Sequence, residues 1–203
     1  MRKFPAGEIK EFKIFKKLTS PQKIQDFLDG IPMNFEKRGE EHKSPLMTLR
    51  RNNAHCIEGA LLAAAALWYN GKKPLLLDLK TSQDDEDHVV ALFKDGSRWG
   101  AISKTNHAVL RYRDPIYISV RELAASYFNE YFLDSRKKTL RSYSAPFELL
   151  KHDDSWLTTD KNLWNISDAL DEAKHFPLFG KNLEHKLRQS DQIEIKAGDI
   201  AEW

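Results

Sequence analysis

The chain has 203 residues, 41% of them hydrophobic and 31% charged, with a formal net charge of +2 and a single cysteine. That length admits one substantial core, or a core with an appendage, and the composition is that of an ordinary globular protein. A charge so near balance gives no electrostatic ground for a nucleic-acid partner, and one cysteine excludes an internal disulfide and a cysteine-only metal site.

Residues 1–18 alternate apolar and basic positions, with Phe12, Ile14 and Leu18 among lysines, a pattern that fits an edge strand or a loosely packed arm. They lack the continuous apolar segment of a signal peptide, so the expected location is cytoplasmic. Ser20 then caps a helix that Pro21 opens, with Ile24, Phe27 and Leu28 on its apolar face and Gly30 ending it before Pro32. The polar stretch MNFEKRGEEHKSP, 33–45, reads as a solvated loop, and Ser44-Pro45 opens a short second helix through Leu49.

A central helix follows, from about Cys56 to Tyr69, stopped by Asn70-Gly71. Its four consecutive alanines, Ala63 to Ala66, leave little polarity for solvent, so burial on most sides is expected. This is also the longest apolar run, yet Glu58 and Gly59 interrupt it and it is too short to span a bilayer. KPLLLDLK, 73–80, reads as a buried strand and TSQDDED, 81–87, as an acidic loop. HVVALFKDGSRWGAIS, 88–103, reads as a β-hairpin turning at Asp95-Gly96. Residues 104–115 read as an irregular linker, and 119–132 as an amphipathic helix with Leu123, Tyr127 and Phe128 on one face. From Asp134 onward, scattered tryptophans (Trp156, Trp164, Trp203) and short helical patterns suggest a helical cap packed on the core.

Cys56 stands where its helix begins. Unpaired N–H groups and the helix dipole favour a thiolate there, and the same N–H groups can bind an oxyanion on an attacked carbonyl. A nucleophilic thiol needs a base in hydrogen-bonding reach on a rigid support, and His88, opening a strand, has that support. Taken singly, each residue has a blander reading: a small core thiol, and a surface histidine beside an acidic loop.

The order of these pieces is a cysteine at a helix start with alanine four positions on, then Asn-Gly, a strand, a loop, a strand-opening histidine, and a return strand with Trp99. It resembles the transglutaminase-like cysteine enzyme superfamily. CIEGALLAAAALWYNGKKPLLLDL and DHVVALFKDGSRWGAIS carry the likeness, over about residues 52–103. The resemblance implies an α+β, papain-like/transglutaminase-like core, with a central buried helix on an antiparallel sheet. It also implies acyl transfer from a protein or peptide-like amide through a thioester, without a cofactor. In that superfamily a carboxylate closes the triad, a few residues after the tryptophan on the return strand. The matching residue here is Ser103, which can accept a hydrogen bond from the histidine but carries no charge. Asn106 ranks equally with Ser103 as the residue that orients His88, and Asp114 ranks third.

The expectation for the whole is one domain over 1–203, with a transglutaminase-like core in 1–133 and a mostly helical extension in 134–203. Its function is that of a cysteine hydrolase or acyltransferase, with Cys56, His88, Asn106 and Ser103 as site residues, no cofactor or metal, and neither nucleic acid nor membrane as partner. The alternative is a catalytically silent member of the fold that serves as a binding or scaffold module. A weaker reading is an unrelated α+β domain with Cys56 as core filler. The run Asp84 to Asp87 lacks the spacing of a calcium loop and reads as solvated. His55 is expected to point away from its neighbour Cys56, His107 to be structural or on the surface, and Asn52 or Asn53 to be within reach of an oxyanion. The Arg111–Arg113 cluster reads as an exposed strand edge.

Overall fold

The computed structural model describes residues 2–37 and 39–202. In chain order, a 3-10 turn over Glu11–Lys16 precedes helices α1 (Pro21–Asp29), α2 (Pro45–Arg51) and α3 (Cys56–Tyr69). Strands β1 (Leu75–Lys80), β2 (His88–Asp95), β3 (Arg98–Ile102) and β4 (Arg113–Tyr117) follow, then α4 (Val120–Ser126), β5 (Ser142–Ser144), β6 (Phe147–Glu148), α5 (Trp164–Asp171), β7 (His175–Pro177) and α6 (Gln192–Gly198). The fold is α+β. Among the described residues seven strands form one antiparallel sheet in the order β4-β3-β2-β1-β5-β7, with β6 also on β1. No helix among the described residues is long and apolar enough to cross a membrane.

Local chemistry accounts for most of these boundaries. The Ser20, Ser44 and Ser119 hydroxyls accept the backbone N–H three residues on, so each closes the open start of its helix. Gly96 turns the β2–β3 hairpin with φ 54°, a left-handed conformation that glycine adopts without steric cost. α3 is buried on nearly every side from Ile57 to Trp68, and its alanines let it lie close on β2. Fully burying each of Leu61, Leu62 and Leu67 contributes roughly 1.5–3 kcal/mol. The sheet is covered on both faces: Leu76, Val89, Ala91 and Phe93 face the core around α3, while Leu77, Leu79, Val90 and Leu92 face a second core around Leu123, Tyr127 and Leu140.

Three expectations need correction. Residues 1–18 are neither a strand nor a loose arm: Phe12 and Phe15 are fully buried, and with Phe4 they pack on Trp68 and Tyr69. Spacing of three in a short 3-10 turn puts both rings on one side, where an alternating pattern suggested a strand. The linker before Pro115 ends early, because Arg113–Tyr117 pairs with β3 at the sheet edge, where proline's missing N–H costs no ladder bond.

The segment from 134 onward is also not a cap laid over a finished core. It carries helices, but β5 and β6 both pair with β1, and β7 pairs with β5. These strands have two or three residues each, too short to show alternation. Trp156 is buried beside Trp68, Trp164 lies half-exposed against His42, and Trp203 is outside the described residues.

Candidate active site

Cys56 is the first residue of α3 and is partly exposed. His55 precedes it as the N-cap, with extended backbone (φ −99°, ψ −169°) rather than helical. The expectation that His55 points away assumed a helix on both residues. Extended backbone instead swings the ring round, so that His55 Nδ1 lies 3.9 Å from Cys56 Sγ. The other ring nitrogen, Nε2, is 2.6 Å from the Glu41 carbonyl oxygen. A carbonyl only accepts, so Nε2 carries the hydrogen in the neutral ring, and Nδ1 faces the thiol as a base.

A buried carboxylate holds this helix start. Glu58 is fully buried and accepts from the His55 N–H (3.0 Å), the Lys43 N–H (3.1 Å) and the Asn34 amide (3.2 Å). Lys43 Nζ, itself buried, pairs with it at 3.0 Å. The stretch 33–45 is therefore not a free solvated loop: Asn34, Glu41 and Lys43 wrap the first turn of α3. Sequence reading passed over Glu58, although a helix-start glutamate three residues after a cap is a capping signature.

The second imidazole comes from the sheet. His88 opens β2, is buried, and has Nε2 2.7 Å from Ser103 Oγ, just past the end of β3. Ser103 Oγ is also 2.5 Å from the Leu110 carbonyl, which must accept the serine hydrogen. The serine oxygen therefore accepts from His88 Nε2–H, which leaves His88 Nδ1 without a hydrogen in the neutral ring. So Ser103 does part of a triad carboxylate's task. It sets the tautomer and orientation but supplies no negative charge.

Three features hold Ser103 in place. The Gln25 amide clamps its backbone in both directions, accepting from Ser103 N–H at 2.9 Å and donating to its carbonyl at 2.8 Å. Leu110 adopts a left-handed φ of 60°, a rare conformation for a branched residue, and Glu130 accepts its N–H at 2.7 Å while pairing with Arg113 at 2.6 Å. Lys104 then passes against Gly59 of α3, where an added Cβ would sit 2.3 Å from Lys104 Cβ. This glycine is what allows the end of β3 to approach the helix.

Partial burial by itself would push the Cys56 thiol up, but hydrogen bonds and positive charge from His55 and His88 outweigh it and bring the thiol down from 9.0 to about 6. His55 moves the opposite way. Burial disfavours its charged form, yet the contact with Cys56 and the negative charges of Cys56 and Glu58 raise it from 6.5 to about 9. Tyr131, buried, with no partner for its hydroxyl among the described residues, is held protonated by burial and then by the thiolate's charge. A cavity of about 530 Å³ is lined by Asn34, Glu36, Lys37, Glu41, Arg51 and Asn53, and of these Glu36 and Glu41 also reach the His55 ring.

The other sequence candidates stand elsewhere. Asn106 is partly exposed, and its backbone carbonyl accepts from the Glu202 N–H, while Asp114 is exposed on edge strand β4. His107 is exposed with Nδ1 donating to the Gly198 carbonyl, Asn52 caps α2 with φ 52°, and the Asn53 amide donates to Asn34. In the acidic run, Asp84 pairs with Lys137 and Asp87 accepts from the Thr81 N–H. No protein-family model matches the chain, and no curated protein matches it.

Proposed function

We propose that the protein is a cysteine-dependent hydrolase or acyltransferase, transglutaminase-like in its arrangement, that acts on an amide or ester through a thioester on Cys56. The observation that carries this reading is a partly exposed thiol at the start of a fourteen-residue helix, with His55 Nδ1 3.9 Å from its sulfur and with His88, held by Ser103, as a second imidazole that draws the thiol toward the thiolate. A helix-start cysteine packed on an antiparallel sheet, with a strand-borne histidine, supports the papain-like comparison. Sγ attacks the carbonyl carbon, first-turn N–H groups stabilise the oxyanion, and an imidazolium protonates the leaving group. The chemistry calls for no cofactor.

The scaffold reading draws on one observation, the neutral Ser103 in the place of a carboxylate. The two readings separate by mass spectrometry of the intact protein after exposure to an activated ester such as p-nitrophenyl acetate. The enzyme reading expects one acyl group on Cys56 that is lost with time, and none on Cys56→Ala. A native protein that stays unacylated while the unfolded chain reacts would leave the scaffold reading in possession.

A further inference from the structure

The two imidazoles stand in opposite electrostatic settings. Around His55 Nε2 lie the Glu41 carbonyl at 2.6 Å, the Glu36 carboxylate at 3.5 Å and the Glu58 carboxylate at 3.7 Å. Two cations on that side are engaged by carboxylates: Lys43 pairs with Glu58 and Glu41, and Arg51 pairs with Glu41; Lys37 lines the neighbouring cavity. The His42 ring, 5.8 Å away, bonds Ser167 through Nδ1, and burial holds it toward the neutral form. His88 has instead a chain of neutral dipoles, Ser103 and then the Leu110 carbonyl. Of the charged groups near it, Asp87, the residue just before it in the chain, has its carboxylate bound to Thr81, and Cys56 lies close enough for the two to interact. A positive charge is stabilised by the first setting far more than by the second.

Resting on the cysteine-enzyme reading, we propose that the thiol proton of Cys56 resides on His55 in the resting protein, leaving His88 Nδ1 bare as the base for the water that hydrolyses the acyl-enzyme. The Sγ–H bond breaks and an N–H bond forms at His55 Nδ1. Sγ bonds to the substrate carbonyl carbon, the bond to the leaving amine breaks, and the amine takes the proton from His55. Water then attacks the thioester carbon and gives a proton to His88 Nδ1. The C–S bond breaks, the carboxylic acid leaves, and the proton passes from His88 to His55 as the thiolate–imidazolium pair re-forms. One histidine thus serves each half-reaction, which is consistent with a site that lacks the carboxylate a single histidine would use in both.

The test is ring ¹⁵N NMR on the full chain labelled at histidine, at pH 7.5, with assignment by single His→Gln variants. Glutamine at position 55 can keep a donor toward the Glu41 carbonyl while removing the base. The expected result is a doubly protonated His55 and a neutral, Nε2-protonated His88, with His55 returning to neutral in Cys56→Ala. A doubly protonated His88 beside a neutral His55 would overturn the proposal and leave the cysteine-enzyme reading intact. Two neutral rings would show a protonated thiol and overturn both. As a kinetic check, His88→Gln is expected to slow loss of the acetyl group from Cys56 by about 100-fold and to raise the pH midpoint of alkylation by less than His55→Gln does. His55→Gln is expected to raise that midpoint by about one unit or more, and the reverse ordering counts against the proposal.

Discussion

The two sides of Cys56 solve one problem, holding an imidazole still, by different means. On the helix side, a fully buried glutamate gathers His55, Lys43 and Asn34, so orientation comes with charge. On the sheet side, the Gln25 clamp, the Ser103 hydroxyl and the Leu110 carbonyl hold His88 with hydrogen bonds alone. The difference teaches that positioning and polarisation are separable. A neutral chain selects a tautomer and an orientation, and a charged one adds direct electrostatic stabilisation of an imidazolium.

The largest expected effect lies on the charged side. Glu58→Ala leaves the buried Lys43 ammonium without its nearest carboxylate and frees the loop from α3. It should cost about 3–5 kcal/mol of stability, measured by urea unfolding. A loss below about 1 kcal/mol would mean that the hub is not what holds this side.

The pH window is the second measure. The Cys56 pKa is depressed to about 6, so its share of the stability is present above its ordinary value of 9.0 and is lost as pH falls through about 6. The His55 pKa is raised to about 9, so its share is present below its ordinary 6.5 and is lost as pH rises through about 9. The charged pair therefore occupies the interval between about 6 and about 9. Iodoacetamide alkylation of native Cys56 should show its midpoint near the lower limit. A midpoint matching the unfolded chain would remove the pair.

The neutral side should respond more mildly. Ser103→Ala removes one acceptor for His88 and should cost about 1–2 kcal/mol in stability, with slower loss of the acyl group. Ser103→Asp supplies the missing carboxylate and should speed loss of the acyl group relative to Ser103→Ala. If Ser103→Ala leaves deacylation unchanged, the chain through Leu110 is structural only. The smallest effects belong to Asn106→Ala and Asp114→Ala. Neither residue has a side-chain bond to His88, and both should change stability by less than about 0.5 kcal/mol and leave the alkylation profile in place.

Much of the architecture follows from local pattern. Ser20-Pro21, Ser44-Pro45, the alanine run and Asp95-Gly96 name their own elements, because capping, small-residue packing and left-handed turns depend on residues near in sequence. Cys56 and His88 were legible for the same reason, one at a helix start and one at a strand start. What escaped was set by long-range partners. The short strands β5, β6 and β7 exist as strands because β1 and one another offer pairing edges. Phe12 and Phe15 became core through contacts with Trp68 and Tyr69, more than fifty residues away.

At the site the same division holds. By itself the sequence determined that a thiol begins a buried helix and that a histidine begins a buried strand. Only the tertiary structure decided which groups surround them. The extended backbone at His55 turned an apparently averted ring onto the thiol, Gly59 admitted Lys104 and with it the end of β3, and Gln25 locked Ser103 from 78 residues away. Hydrogen-bond direction and buried charge depend on three-dimensional neighbours, and no local spacing encodes them.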